Sequence, residues 1–258
     1  MRNICMTVSY DGTAYHGFQT QPSNNTIQDI LERAIRSLTG ETIKITSSGR
    51  TDAGVHARCQ VINFFTSSPI PLVRWCLALN TLLPADIIVS NAKQVADNFH
   101  SRRSADRKTY RYTIRCGKHP DLFRRNQEYF HPTRLNTEAM QSSLACLIGE
   151  HDFTSFCSIR STKKSNIRTI YNLTLECEPM DPILQSYGIH IHVTGNGFLY
   201  NMVRIIVGTL IQIGEGKRSA DAMSEILASR DRALAGPTAM PHGLVLWEVL
   251  YENDEIRS

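Results

Sequence analysis

The chain has 258 residues, 41% hydrophobic and 20% charged, with a formal charge of +4. That length buries a large core, as one big domain or two halves, and the composition is that of an ordinary soluble globular protein. Seven cysteines, an odd number with no Cys-x-x-Cys pair, fit free thiols better than a disulfide framework. The first residues reach Tyr10-Asp11-Gly12 without an apolar signal-peptide core. The longest apolar run, residues 198–213, is too short for a membrane span and holds Asn201 and Arg204. A soluble, cytoplasmic protein is expected.

Ile4, Met6, Val8 and Tyr10 alternate with Cys5, Thr7 and Ser9, the period of a half-buried strand. Thr26, with Asp29 three residues on, reads as the N-cap of a helix whose Ile27, Ile30, Leu31, Ala34, Ile35 and Leu38 share a face. Residues 43–47 and 59–65 read as strands, so the 49–57 segment lies in their connection. A helix follows through residue 79, with Pro71 suited to its first turn. Residues 107–114 return to period two, Tyr110, Tyr112 and Ile114 on one face and Arg107, Thr109, Arg111 and Thr113 on the other. Residues 136–148 read as helix, 171–178 and 189–195 as strands, 198–213 as an apolar helix ended by Gly214 and Gly216, and 244–251 as a closing strand. The pattern is α/β of the α+β type, with mixed or antiparallel sheets and helices covering one face. The best boundary lies within 98–106, giving halves of 1–104 and 105–258.

The segment Ser48-Gly49-Arg50-Thr51-Asp52-Ala53-Gly54-Val55-His56-Ala57 sets one carboxylate, Asp52, between two glycines that permit a tight turn, with Arg50 two residues before it. Such an aspartate can serve as a nucleophile. Read alone, Asp before Ala-Gly is more usually a turn-former that bonds its own backbone. Between residues 101 and 125 stand nine basic residues (Arg102, Arg103, Arg107, Lys108, Arg111, Arg115, Lys118, Arg124, Arg125) against two acids, Asp106 and Asp121. Arg160, Lys163, Lys164 and Arg168 form a second group with no acid among them. Each alone could be a solvated loop; together, with Tyr110, Tyr112 and Phe123 interleaved, they favour a polyanionic partner such as nucleic acid. His190 and His192 share one strand face, polar or solvated, and with His16, His56 and His100 make no metal-ligand pattern.

The 48–57 segment resembles the signature of the TruA family of tRNA pseudouridine synthases, and the match runs along nearly the whole chain. Tyr10-Asp11-Gly12-Thr13-Ala14-Tyr15-His16-Gly17-Phe18-Gln19 is close to the family's opening motif. In family order follow Leu79-Asn80 with Leu83-Pro84, Phe99-His100-Ser101-Arg102, Arg107-Lys108-Thr109-Tyr110-Arg111-Tyr112 and His151-Asp152-Phe153. Asn196-Gly197-Phe198-Leu199-Tyr200-Asn201-Met202-Val203-Arg204 and Gly236-Pro237-Thr238-Ala239 with Gly243-Leu244 complete the set. Phe18 stands where many members carry Trp, and Met240 before Pro241 is a second small departure; neither is a position the family uses for chemistry.

The resemblance implies two similar halves with sheets joined edge to edge and an active-site cleft between them. It also implies conversion of uridine to pseudouridine around positions 38 to 40 of the tRNA anticodon arm, by a homodimer in which one tRNA contacts both subunits. The reaction has no redox change, so no cofactor or metal is expected. By resemblance Asp52 is the nucleophile, attacking either C1′ of the ribose or C6 of the uracil. Arg204 matches the arginine that pairs with it; a cation inside an apolar helix is costly unless paired, or else snorkels to the surface. Tyr110 matches the active-site tyrosine, stacking on the flipped base or helping remove the C5 proton, and is otherwise a core residue beside Tyr112. Arg50 would hold the substrate backbone or fill the gap left by the extruded nucleotide, and Leu199 would wall the pocket, unless it is ordinary core. Extruding a base costs about a few kcal/mol, for which Arg102, Arg103, Arg107, Lys163 and Lys164 would supply phosphate contacts. The rivals are an RNA-binding module without catalysis and an N-glycosidase that releases uracil.

Overall fold

A computed structural model of the chain describes residues 1–159 and 165–252. Along the chain run β1 (Arg2–Tyr10), α1 (Ile27–Thr39), β2 (Thr46–Ser47), β3 (His56–Thr66), α2 (Leu72–Asn80), β4 (Ile87–Val95), β5 (Arg107–Gly117), β6 (Tyr129–His131) and α3 (Thr137–Ser142). Then come β7 (Gly149–Asp152), β8 (Ile167–Cys177), β9 (Ser186–Gly195), α4 (Met202–Gly214), α5 (Ala222–Ser229) and β10 (Leu244–Leu250). Two compact units result: Met1–Asp106 with the chain from Val245 onward, and Arg107–Leu244. Each is mixed α/β with a mostly antiparallel sheet.

In the first unit the strand order is β4-β1-β3-β10, with β2 also on β3. β1 pairs antiparallel with both neighbours, while β10 lies parallel to β3. The Thr26 cap forms as expected: its oxygen accepts from the Asp29 amide at 3.3 Å and its hydroxyl donates to the Asp29 carboxylate at 2.6 Å. Ile27, Leu31, Ala34 and Ile35 are buried, but Ile30 and Leu38 stay partly open. The strand expected over 43–47 shrinks to two residues, because the Ile45 amide is taken by the Glu32 carboxylate of α1 at 3.0 Å. β1 is covered on both faces near its start. Asn3 donates to the Ala96 and Phe99 carbonyls (2.9 and 3.1 Å) and accepts from Asn63 (3.0 Å), which ties the 96–99 segment to the start of the strand; burial pushes the Cys5 thiol up to about 12.

In the second unit the order is β5-β9-β8-β7, with β6 parallel on β5. Tyr112, Ile114, Ile189, Ile191 and Val193 belong to the buried core, and α4 is itself buried nearly all round. Two expectations need correcting. The helix expected over 136–148 breaks into α3 and a 3-10 turn, Ala145–Leu147. The hydroxyls of Ser142 and Ser143 there bond back to the Ala139 and Met140 carbonyls (3.0 and 2.8 Å), competing with helix continuation. α4 starts at Met202 rather than at residue 198, because Asn201 takes a left-handed backbone (φ 62) and resets the chain direction.

Candidate active site

Asp52 sits in the 48–55 loop between β2 and β3. Its carbonyl accepts from the Val55 amide at 3.1 Å, and Gly54 at the third turn position has φ 74, the left-handed value such a turn needs. Gly49 does not use that freedom; its carbonyl instead accepts from Gln60 at 2.8 Å. The loop lies on a bed made by the 10–18 segment. Phe18 N–H donates to the Thr51 carbonyl (3.1 Å), Tyr10 Oη is 2.8 Å from the Thr51 hydroxyl, Gly54 N–H donates to the Tyr15 carbonyl (3.3 Å), and Gly12 N–H donates to His56 Nδ1 (3.0 Å). Contact is so close that a β-carbon on Gly12 would stand 2.0 Å from the Val55 oxygen, and one on Gly17 (φ 87) 2.7 Å from the Thr51 oxygen. Tyr15 is fixed in turn by its hydroxyl donating to Asp86 at 2.6 Å; burial, then that acceptor, raises its pKa. Asp52 is half-buried and Arg50 exposed. The carboxylate therefore rides on backbone fixed from both sides.

Tyr110, Leu199 and Arg204 belong to the second unit. Tyr110, buried in β5, meets Phe198 edge-on, ring centroids 5.1 Å apart at 87°. Leu199 is 4% exposed, and its carbonyl accepts from Met202 N–H at 3.1 Å. Arg204 does not simply snorkel: Nε donates to the Ala239 carbonyl (2.8 Å) and Nη1 to Asn201 Oδ1 (2.9 Å), while the Arg204 carbonyl accepts from Ala239 N–H (3.0 Å). The 236–239 segment is pressed onto α4, since a β-carbon on Gly208 would lie 1.8 Å from the Pro237 oxygen. Asn201 occupies the N-cap position without capping. It thereby forgoes about 1 kcal/mol and holds a left-handed backbone that disfavours most side chains by roughly 1–2 kcal/mol but that Asn tolerates.

The candidate phosphate contacts differ among themselves. Arg102 and Arg103 are exposed in the turn after Ser101. Arg107 is exposed at the head of β5, its guanidinium 5.5 Å from the Tyr171 ring. Arg115 leaves the cluster: it is buried, paired to Glu128 at 2.8 Å and Glu178 at 2.9 Å, and Arg124 is tied to Glu128 and Asp121. Burial lowers the pKa of Arg168, which donates to the Ser165 and Ile167 carbonyls. Arg160, Lys163 and Lys164 lie outside the described residues. His190 is engaged rather than solvated, 2.8 Å from Glu178 and 3.1 Å from Thr113. Among the described residues no group of three or more His, Cys, Asp or Glu is placed to hold a metal ion, and no helix is long and apolar enough to cross a membrane.

Residues that sequence reasoning passed over are Tyr10, Gly12, Gly17 and Thr51 around Asp52, and Asn201 and Ala239 around Arg204. Their signal was the presence of glycines and an asparagine beside each chemical motif, but which segment they face is decided by tertiary contact.

The family model described as tRNA pseudouridine synthase matches residues 6–102 and 144–252. A tRNA pseudouridine synthase A of Bacillus subtilis is 48% identical over 98% of this chain and 100% of its own length. One from a Geobacillus is 46% identical over 98% and 99%, and one from Bacillus pumilus 47% identical over 96% and 98%. A solved structure of an unknown protein from Galdieria sulphuraria covers 83% of this chain and 92% of that one at 12% identity and a TM-score of 0.21, too slight a likeness to bear on the fold. The chain belongs to the TruA family of tRNA pseudouridine synthases, enzymes that isomerise uridine to pseudouridine in tRNA.

Proposed function

We propose that Asp52 is the nucleophile of this isomerisation. What supports the reading is the turn that carries it, anchored by the Tyr10, Gly12, Tyr15 and Phe18 contacts so that one carboxylate is presented in a fixed place. In the reaction the N1–C1′ bond breaks and a C5–C1′ bond forms. C5 gives up a proton and N1 gains one, so atoms balance without an oxidant or reductant. Asp52 adds to C1′ or to C6 and is released at the end. Arg204 is the cation that keeps the carboxylate ionised. Tyr110 stacks on the base or helps take the C5 proton, Leu199 walls the pocket, and Arg50 holds the backbone or fills the vacated stack. Arg102, Arg103 and Arg107 contact phosphates, with Lys163 and Lys164 as further candidates. The substrate is the anticodon arm around positions 38 to 40, and the enzyme works as a cytoplasmic homodimer.

The test is release of tritium from tRNA labelled at C5 of uridine, beside tRNA binding, for the wild type and Asp52→Asn. The expected result is release by the wild type alone at nearly equal affinity. An Asp52→Asn enzyme that still isomerises above a trace sinks the nucleophile role; free uracil among the products would mark a glycosidase, and binding without release a tRNA-binding module.

A further inference from the structure

We propose that Asn201 is a positioning residue for Arg204, forming with the Ala239 carbonyl a two-acceptor cradle that aims the guanidinium without neutralising it. The inference rests on the reading of Arg204 as the cation of the reaction. Asn201 stands where a side-chain oxygen ordinarily accepts from the amide two or three residues on, yet it makes no such bond. Its Oδ1 goes instead to Arg204 Nη1 at 2.9 Å. The backbone at φ 62 would suit glycine without strain, so the conformation alone does not call for an asparagine. The second acceptor is a main-chain carbonyl, held by the return bond from Ala239 N–H to the Arg204 carbonyl and by the contact of Gly208 with Pro237. Both acceptors are neutral. A carboxylate in either place would hold the guanidinium as firmly but cancel the charge the reaction needs. The Gly236-Pro237-Thr238-Ala239 motif thereby acquires a role, since its backbone forms half of the cradle.

Three full-length variants test this: Asn201→Gly, Asn201→Asp and Arg204→Ala, each measured for thermal midpoint, tRNA affinity and single-turnover tritium release. Asn201→Gly removes the acceptor and relieves the backbone. It is expected to melt at or above the wild type and bind tRNA within about 2-fold, but to react on the order of 10- to 100-fold more slowly, the loss expected from a misplaced group. Asn201→Asp tolerates the left-handed backbone and keeps the acceptor while adding a charge, so it also folds and slows at least as far; a purely structural asparagine would not show this, and the variant keeps the test open if the glycine form fails to fold. Wild-type rates in Asn201→Gly or Asn201→Asp, with Arg204→Ala inactive, overturn the positioning role alone. Arg204→Ala at the wild-type rate overturns the reading of Arg204 beneath it.

Discussion

A β-carbon on Gly12 has nowhere to go, because the nearest atom, 2.0 Å away, is backbone carbonyl rather than the end of a side chain. Gly12→Ala must therefore shift the loop that carries Asp52. Overpacking of this kind costs about 1–3 kcal/mol, and the displaced turn should slow isomerisation by on the order of 100-fold even where the protein is fully folded. Gly40→Ala is the matched control. That residue ends α1 at φ 74 with nothing within 4 Å of an added β-carbon, so it should lose about 1 kcal/mol and keep its rate. Urea midpoints and turnover on the two variants decide the matter. Equal rates in both would detach the 10–18 bed from the placement of Asp52.

Arg115 illustrates how an element's two faces can mislead. Period two correctly sets Tyr110, Tyr112 and Ile114 on the core face of β5, but Thr113 and Arg115 on the other face are buried as well. They are covered by a polar network in which Arg115 bonds Glu128 and Glu178, and His190 bonds Glu178 and Thr113. Arg115→Met takes two charge-assisted bonds from the nearly buried Glu128 carboxylate, leaving it Arg124 at 3.2 Å, and should destabilise by about 1–3 kcal/mol. Burial opposes ionisation of Glu178, but His190 and Arg115 outweigh it and lower its pKa. Its contribution is present above the ordinary value of 4.5 and is lost as pH falls through the lowered folded value. Acid unfolding should thus steepen below about 4.5, and less so in Arg115→Met, as circular dichroism against pH would record. Legibility follows the same line. The Thr26 cap, the α1 face and the strand periods are local and were readable. The Glu32 bond that shortens β2, the left-handed Asn201 that delays α4 and the parallel seating of β10 on β3 depend on partners far along the chain, so no window of sequence contains them. For the site, the motifs named Asp52, Tyr110, Leu199 and Arg204 by resemblance, while the segments that hold them came only with tertiary contact.

At the scale of the whole molecule, charge has to be counted after pairing. Nine basic residues between 101 and 125 look like one field in the sequence, yet Arg115 and Arg124 are committed to Glu128, Glu178 and Asp121. Arg102, Arg103 and Arg107 keep exposed side chains suited to a polyanion such as tRNA. Each phosphate contact adds about 0.7–0.9 to the slope of log affinity against log salt. If all three reach phosphates, Arg102→Gln, Arg103→Gln and Arg107→Gln combined should flatten that slope by about 2–3 and weaken binding most at low salt. Arg115→Met, although it removes the same formal charge as any one of them, should leave the slope unchanged while lowering stability. Filter binding of tRNA from 50 to 200 mM salt, roughly the range in which such slopes are resolved, separates the two. A slope that follows total charge rather than exposed arginines would mean that binding reads the molecule's net field, and that these three residues hold no particular place on the RNA.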